Sequence, residues 1–406
     1  MDKKQVGAWA LFDFANSAYP AVMTTAVFPL FYKGVVVGDE TGLGEIWWGR
    51  AISTSALIVA LSAPLLGAIA DRGGARKRFM LMYTLLCIAS LVMMSTLQAG
   101  MIVTGFALFV IANVGFESAV VFYNAYLPDI APAEQQGRVS GLGFGVGYLG
   151  SAVGLVLAIP VAQARIELVW PMVGAFFLIF AIPAFIYLPK DGGGTMGVTA
   201  AARWGLSNFK AVIQEVWRQK ELRKFLIAFF FYIDAILTII VFAGVVAMDT
   251  FGFTQEETIV LFLIVQFSAL IGAFALAKPT DRLGPKKVLN GVILMWILVG
   301  VSAYFIENPR LFYALAVLAG VGLGSAQSAS RALMSSLIPE GRESEMFGFY
   351  AFCGKTSSVL GPQVFAYTVF LAGGNQRPAF LSLTVLFVIG FVLLQRVTDP
   401  KAAAAA

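Results

Sequence analysis

The stretch Gly67–Arg78 reads GAIADRGGARKR and forms a short, highly charged turn between two apolar runs. A related turn, KPTDRLGPKK, occupies residues 278–287 and also joins two apolar runs. An acidic residue followed by a basic one recurs at a distance of 210 residues, as Asp71-Arg72 and Asp281-Arg282. This recurrence predicts a structural unit that is used twice along the chain.

Glycines and corners elsewhere in the chain follow the same repeat. A set of three glycines recurs 207 residues on, as Gly141, Gly147 and Gly154 and then Gly348, Gly354 and Gly361. A corner that contains proline recurs as LPDIAPAEQQGR (127–138) and LIPEGRES (337–344). Because each unit holds an even number of apolar runs, both copies enter the membrane from the same side, which makes the repeat a parallel one.

The composition identifies an integral membrane protein. The 406 residues are 59% hydrophobic and 13% charged, with a mean hydropathy of +0.83, whereas soluble domains carry roughly 25% charged residues. Since a helix needs about 20 apolar residues to cross the bilayer, we predict an all-α membrane protein with twelve transmembrane helices in two pseudo-symmetric six-helix bundles. The predicted spans lie near residues 8–32, 48–70, 79–98, 101–126, 139–163, 168–188, 224–247, 256–278, 288–306, 310–336, 344–371 and 378–396.

The domain prediction follows these spans. Residues 1–188 form the N-terminal bundle, 189–223 a cytoplasmic linker, 224–397 the C-terminal bundle and 398–406 a tail. The linker carries an apolar stripe at helical spacing, which fits a helix in the membrane interface or one packed beneath the bundle. The stripe consists of Leu206, Phe209, Ile213, Val216 and Trp217.

Lys and Arg placement predicts the orientation. Most of the 28 basic residues fall on the side of the two termini, and few on the other side. By the positive-inside rule the termini are cytoplasmic, and we predict a multi-pass protein of the bacterial inner membrane. The net charge of +5 therefore reflects the basic residues that set the membrane topology, and it gives no reason to expect a nucleic-acid partner. The basic residues on the opposite side are Lys33, Arg50, Arg165, Arg310 and Arg377.

The chain lacks the residues that several classes of function require. The chain has no histidine, its two cysteines fall inside spans, and it contains no GxxxxGK[ST] loop. These absences disfavour a metal site, a cofactor, ATP-driven transport, and a membrane-embedded enzyme or receptor. We predict that the chain is no enzyme, binds no cofactor and acts as a monomer.

Ionisable side chains inside apolar spans carry the functional signal. Such a residue is costly in the bilayer and survives facing a bundle interior, a partner or water. Four spans at regular intervals, the first, fourth, seventh and tenth, each hold one, and the eleventh holds a lysine. These residues are Asp13, Glu117, Asp234, Arg331 and Lys355.

Three stretches, together with the repeat, carry a family resemblance. They are WALFDFANSAY (9–19), FYNAYLPDIA (122–131) and QSASRALMSSLIPEGRESEMFGFYAFCGKTSSVLGP (327–362). The two-fold repeat and its turn resemble the major facilitator superfamily. The three stretches resemble its vacuole-effluxer-like branch, which groups bacterial transporters with the fungal autophagy-related vacuolar amino-acid effluxer. The second turn departs from the pattern because it begins with Lys278-Pro279.

The resemblance implies a transporter with one central site and alternating access, and makes amino acids a possible substrate. It also implies that the first, fourth, seventh and tenth spans line the cavity. A cavity with both signs of charge suits a zwitterionic or anionic small molecule, and a buried carboxyl group such as Asp234 suits proton uptake and release. The candidate substrate-binding or coupling residues are Asp13, Asn16, Glu117, Asn124, Asp234, Gln327, Arg331 and Lys355.

Alternatives remain for several of these residues. Glu117 and Arg331 could form a latch between the halves, and Asp13 could cap its helix. Lys355 could contact an anion or neutralise Asp234.

A separate set is predicted to gate the cytoplasmic side. Asp71 could dock at the positive end of the eleventh span, which begins near Glu343. Arg72 could pair with Asp129, and Asp281 with Arg282 would play the matching part in the second copy.

The leading hypothesis is a secondary active transporter for a small polar solute, with amino acids as the favoured class. Its partners are the solute, the lipid bilayer and protons, although facilitated efflux without coupling stays open. A lipid or lysolipid carrier of the same fold is the alternative, which the 35 phenylalanines would suit.

Overall fold

The structure is a computed structural model of the chain, and it describes residues 1–38 and 42–398. The rest of the predicted tail, from residue 399 onward, lies outside the described residues. The regular structure of the described part is helical. Its α-helices are α1 (Lys3–Tyr19), α2 (Phe28–Phe31), α3 (Leu43–Gly73), α4 (Arg76–Met94), α5 (Ile102–Asn124), α6 (Leu127–Ile130), α7 (Gln136–Ala164), α8 (Val169–Tyr187), α9 (Val198–Ser207), α10 (Phe209–Arg218), α11 (Lys220–Asp249), α12 (Gln255–Ala275), α13 (Ala277–Leu283), α14 (Pro285–Phe305), α15 (Pro309–Leu337), α16 (Glu343–Ser357), α17 (Leu360–Leu371) and α18 (Arg377–Gln395). Shorter π-helices lie at Pro20–Ala26 and Tyr32–Val37, and 3-10 turns at Ala133–Gln135 and Ile166–Leu168.

The predicted twelve-span architecture is confirmed, with one span interrupted. Within the described residues, eleven helical stretches are long and apolar enough to cross a membrane. They correspond to the predicted spans one to ten and twelve. The predicted eleventh span, 344–371, consists instead of α16 and α17, which are separated at Ser358 and Val359.

The local sequence explains this interruption. Gly361 and Pro362 occupy the first turn of α17. A proline has no N–H to donate to the carbonyl four residues earlier, and it is tolerated in a first turn but not inside a helix. The apolar run is therefore long enough for one span but is built as two half-helices.

The contacts divide the chain into two compact units, each built mainly from one repeat. Unit 1 also contains residues 339–352 of the second repeat, and unit 2 contains residues 132–145 of the first. These two segments are 207 residues apart, so they occupy the same position in the repeat. Each proline-bearing corner is followed by a helix, α7 in the first repeat and α16 in the second. The first turns of that helix pack within the unit that is built mainly from the other repeat. Unit 1 is Met1–Ala131, Val146–Val212 and Pro339–Phe352, and unit 2 is Pro132–Gly145, Ile213–Ile338 and Cys353 onward.

Aromatic residues fill the interior of unit 1, where α1 packs on α8 and α4 packs on α5. The Trp9 ring stacks on Tyr123 at 4.6 Å between centroids, and its indole N–H donates to the Tyr123 carbonyl oxygen at 3.0 Å. Phe12 stacks on the same tyrosine at 5.0 Å. These contacts fix α1, which carries Asp13 and Asn16, against the end of α5.

Small residues allow close helix contacts in unit 2, where α12 packs on α15 and α11 packs on α18. The Ser325 hydroxyl donates to the Gly272 carbonyl oxygen at 3.0 Å. The hydroxyl groups of Tyr232 and Ser330 lie 2.7 Å apart. Packing and interhelical hydrogen bonds of this kind hold membrane helices together.

The linker differs from its prediction because its apolar stripe is divided between two helices. α9 ends before Asn208, whose side-chain amide donates to the Trp204 carbonyl oxygen at 2.9 Å. Such local hydrogen bonds compete with helix continuation. α9 packs on α3 within unit 1, while Leu206 and Trp217 are exposed.

Gly150→Ala should destabilise the protein, because α7 crosses α1 at this glycine. A Cβ atom there would lie 2.1 Å from the backbone carbonyl oxygen of Phe14, so the helices would have to separate. We expect the free energy of unfolding to fall by about 1–3 kcal/mol, the usual effect of overpacking. Thermal unfolding in detergent measures it. Gly291→Ala is the matched control, since a Cβ there meets nothing within 4 Å, and an equal loss in both variants would contradict the prediction.

Candidate functional site

The turn between α3 and α4 is joined to the start of α16 within unit 1. The Asp71 carboxylate accepts hydrogen bonds from the backbone N–H groups of Ser344 (3.1 Å) and Glu345 (2.8 Å). Because α16 begins at Glu343, both N–H groups belong to its first turn, where unpaired donors and the helix dipole favour a negative charge. Asp71 therefore docks at the N-terminus of the eleventh span, the position that the sequence predicts.

Arg76 links the same helix start to the end of α5. Its guanidinium lies 2.6 Å from a Glu343 carboxylate oxygen and 2.5 Å from one of Asp129, and it donates to the Ala125 carbonyl oxygen at 2.9 Å. The Arg76 side chain is 14% exposed, so these pairs are screened less than surface pairs. We call this set the latch; it comprises Asp71, Arg72, Arg76, Asp129, Glu343 and Glu345.

The predicted pairing of Arg72 with Asp129 is wrong. Arg72 lies in the last turn of α3, which continues to Gly73, and its guanidinium reaches Glu345 at 3.1 Å. Arg76 is the first residue of α4 and faces Asp129. The two arginines are therefore separated by the glycine turn, and the second one takes the predicted role.

Part of the linker packs against the latch within unit 1. Asp191 accepts a hydrogen bond from the Lys77 N–H at 2.6 Å and so caps α4. The Trp204 ring lies 3.8 Å from the Arg72 guanidinium. Between the linker and the turn is a cavity of about 350 Å³. Its wall includes Asp71, Arg76, Tyr126, Asp129, Asp191 and Glu343.

Trp204→Ala should weaken the latch through the loss of its contact with Arg72. The substitution removes the ring that stacks on Arg72, a contact worth about 1 kcal/mol when partly shielded from water. We expect a fall of about 1–2 kcal/mol in the free energy of unfolding once lost packing is added. Trp204→Phe, which keeps an aromatic face, should recover at least half of the loss in the same thermal unfolding measurement. Equal losses in the two variants would show that Arg72 gains nothing from the ring.

The second copy of the turn has a simpler latch within unit 2. Asp281 accepts from the Arg138 backbone N–H at 3.2 Å and from its side-chain Nε at 2.6 Å. Arg138 lies in the first turn of α7, so Asp281 occupies the position that matches Asp71. Arg282 is exposed.

Asp13 lies well inside α1, and the suggestion that it caps this helix is wrong. The helix begins at Lys3, and Asp2 accepts the capping hydrogen bond from the Lys4 N–H at 2.8 Å. Asp13 is 6% exposed. The Asn16 side chain donates to the Phe12 carbonyl oxygen of the preceding turn at 2.8 Å.

The predicted polar residues of α5 lie along its half-buried side. Glu117 and Asn124 are both half-buried. Tyr19 is close enough to Glu117 for an electrostatic interaction, and its ring stacks on Phe116 at 4.7 Å. The Tyr19 hydroxyl is buried and has no hydrogen-bond partner among the described residues, so unit 1 offers a polar group that the sequence analysis did not single out.

Arg331 is buried in unit 2 and held by the start of α7. Its Nε donates to the Ser140 hydroxyl at 3.0 Å and its Nη2 to the Ser140 carbonyl oxygen at 2.8 Å. The guanidinium also lies 3.9 Å from the Phe144 ring. Gln327, one turn earlier on α15, is half-buried.

Asp234 is fully buried near the middle of α11. One carboxylate oxygen accepts a hydrogen bond of 2.6 Å from the Gly361 N–H, at the start of α17. Lys355 is half-buried in the last turn of α16, just before the interruption. Within unit 2, the structure thus brings Asp234 to the start of α17, next to the break in the eleventh span.

Sequence reasoning missed the partners that hold these groups. Arg76, Glu345 and Trp204 belong to the latch, and Ser140 and Phe144 hold Arg331. Arg76 stands in the turn 67–78 and Glu345 in the stretch 327–362, both of which the sequence singles out. The charge of these two residues was therefore a signal that could have identified them. Nothing in the pattern indicates Ser140, Phe144 or Trp204, because their roles depend on helix orientation.

Comparisons with known families agree with this architecture. A family model described as "Vacuole effluxer Atg22 like" matches residues 49–406. The "Uncharacterized MFS-type transporter YxiO" of Bacillus subtilis is 32% identical over 413 residues, with 98% of this chain and 95% of that protein covered. Autophagy-related protein 22 of Coccidioides immitis is 24% identical, with 99% of this chain and 81% of that protein covered.

Solved structures share the fold at low identity. The human organic anion transporter MFSD10 has a TM-score of 0.78 at 16% identity, covering 97% of this chain and 100% of that chain. The proton:xylose symporter XylE has a TM-score of 0.72 at 14% identity, covering 98% and 95%. At these identities the likeness concerns the fold alone.

Proposed function

Because the chain belongs to the Atg22-like vacuole effluxer family of major facilitator transporters, we propose that it moves a small polar solute of the amino-acid class by alternating access, coupled to protons. The observation that carries the proposal is the burial of ionisable groups of both signs inside membrane spans. Asp234 and Arg331 are at most 2% exposed. Such groups in a transporter mark the path of the solute or of a proton.

The distribution of charge supports a zwitterionic solute. Unit 1 supplies carboxylates and amides, from Asp13, Asn16, Glu117 and Asn124. Unit 2 supplies the cations Arg331 and Lys355 and the amide of Gln327, together with the carboxyl group of Asp234. A solute with an ammonium group and a carboxylate carries a charge complementary to each of these two kinds of group.

The latch supports alternating access. Asp71 and Arg76 hold the start of α16, a segment of the second repeat, within unit 1, and Asp281 holds the start of α7 within unit 2. We propose that these contacts form when the cytoplasmic side is closed and break when it opens. The basic residues around both turns agree with cytoplasmic termini in a bacterial inner membrane.

We propose Asp234 as the proton-coupling residue, with Asp13 and Glu117 as the other candidate carboxyl groups. A carboxyl group buried away from cations can exchange its charge for a proton at small energetic cost. The fold relative XylE is named a proton symporter, which shows that this fold admits such coupling in that protein.

A ligand-stabilisation screen tests the solute class. The purified protein is heated with pooled neutral amino acids, organic anions or lysolipids. A ligand at about 100 times its Kd adds about 2.7 kcal/mol to the free energy of unfolding. Stabilisation by amino acids that is lost in Arg331→Ala would support the proposal. Stabilisation by lysolipids or organic anions alone would replace the amino-acid class.

A further inference from the structure

The two oxygens of the Asp234 carboxylate have different surroundings in unit 2. Oδ2 accepts the hydrogen bond from Gly361. Oδ1 is buried and accepts no hydrogen bond of standard geometry from the described residues, but the Thr238 hydroxyl, one turn further along α11, is close enough to interact with the carboxylate as a poorly aligned donor. A buried acceptor without a well-aligned donor is unfavourable, and a proton on Oδ1, shared with Thr238 Oγ1, would remove that cost.

The equivalent contact in the first repeat has no carboxylate. Gly154 precedes Gly361 by 207 residues, and a Cβ on it would meet the Ala18 side chain at 2.6 Å. There α7 continues unbroken through the contact. A Cβ on Gly361 would meet Thr238 Oγ1 at 2.1 Å and Asp234 Oδ1 at 2.8 Å. Close packing of the two helices at this position therefore does not require a carboxyl group. In the second repeat, the carboxyl group of Asp234 lies where the helix is interrupted between α16 and α17.

We propose that Asp234 Oδ1 and Thr238 Oγ1 form a proton-binding site, and that α17 responds to the proton through the Gly361 hydrogen bond. This inference rests on the proposed proton coupling and names its atoms. A divalent cation is disfavoured because one carboxylate and one hydroxyl fall short of the roughly six oxygen ligands that Ca²⁺ and Mg²⁺ take.

The two protonation states differ in how firmly they hold α17. The ionised carboxylate accepts the Gly361 N–H in a charge-assisted bond, roughly twice as strong as a neutral one. When Oδ1 carries the proton, it donates to Thr238 Oγ1, and Oδ2 remains a neutral and weaker acceptor. Since Ser358 and Val359 lie outside both half-helices, α17 can then move relative to α16.

No ion pair competes for Asp234 among the described residues. The elements packed against α11 carry their charges elsewhere: Arg331 of α15 is bound to Ser140, and Glu256 and Glu257 of α12 stand in its first turn. Arg377 begins α18 at the far end, and Tyr367 of α17 is exposed. Lys355 of α16 is the nearest cation along the chain, in the turn before the break.

Infrared difference spectroscopy tests the proton site without any solute. Spectra of the full chain in lipid, recorded between high and low pH, should contain a protonated-carboxyl band that Asp234→Asn removes. Thr238→Val should shift that band, because the acid loses its acceptor, whereas the control Thr258→Val on α12 should leave it unchanged. An unchanged band in Asp234→Asn, or in Thr238→Val, would overturn the proposal.

Hydrogen exchange tests the response of α17. After correction for intrinsic exchange, the backbone amides of residues 360, 361, 363 and 364 should exchange about tenfold faster below the midpoint of the infrared band than above it. The difference should vanish in Asp234→Asn, and its persistence there would overturn the link to Gly361. Neither readout depends on transport, so a chain that moves no amino acid can still pass both tests. If transport is driven by a proton gradient but the Asp234 band is absent, the proton site at Asp234 and Thr238 is rejected, while the proposed proton-coupled transport still holds.

Discussion

Asp71→Asn should make the start of α16 about 100-fold more accessible. Asp71 accepts two first-turn hydrogen bonds, and an amide can accept only one of them while its own N–H₂ faces the other donor. Hydrogen bonds to a charged group contribute about 1.5–3 kcal/mol each. A loss on the order of 3 kcal/mol corresponds to roughly a 100-fold change in the opening equilibrium.

A buried reporter measures this change. Met346 is fully buried in α16, so in a background with both native cysteines replaced by Ala, a Met346→Cys reporter should react with maleimide at a rate set by latch opening. Asp191→Asn is the matched control, because the Asp191 carboxylate also accepts a backbone N–H at a helix start, but from α4 and not from α16. It should change the rate less than about threefold. Equal acceleration by both variants would contradict a latch centred on Asp71.

The second large effect is expected from Asp234→Asn, which should abolish accumulation against a gradient but keep exchange. The Asn side chain can still accept the Gly361 N–H, so the fold of unit 2 survives, but it cannot carry a proton. With one proton moved per neutral solute, a gradient of one pH unit supports about a tenfold concentration ratio, and the variant should fall to a ratio of about 1.

The control for that experiment lies on the same helix. The exposed Asp249 ends α11 and accepts a hydrogen bond from the side-chain amide of Gln376 at 3.1 Å. Asp249→Asn should retain the tenfold ratio in proteoliposomes with an imposed pH gradient. Full accumulation by Asp234→Asn would move the coupling role to Asp13 or Glu117.

Much of the fold follows from the sequence, since span length and the spacing of the two turns depend only on local composition. The docking of Asp71 was also predictable, because a carboxylate and a helix start recur at matching places in both repeats. The choice between Arg72 and Arg76 was not, since it depends on where α3 ends and which way each side chain points. That end is fixed by Gly74, which adopts the left-handed conformation with φ of 55°, readily available to glycine.

The interruption of the eleventh span was within reach of the sequence. Pro362 follows Gly361 in the middle of the apolar run, a pattern that ends or kinks helices. By contrast, no pattern relates Arg331 to Ser140, nor Asp234 to Gly361, because each pair joins helices far apart in the chain.

The most direct test of the central claim is counterflow in proteoliposomes. Vesicles loaded with pooled unlabelled amino acids and placed in a trace of labelled ones should accumulate label transiently, without any pH gradient. Asp71→Asn should reduce the rate of this accumulation, and vesicles without protein should show none. Absence of counterflow for every amino acid, with protein shown to be folded by its thermal unfolding, would contradict an amino-acid transporter.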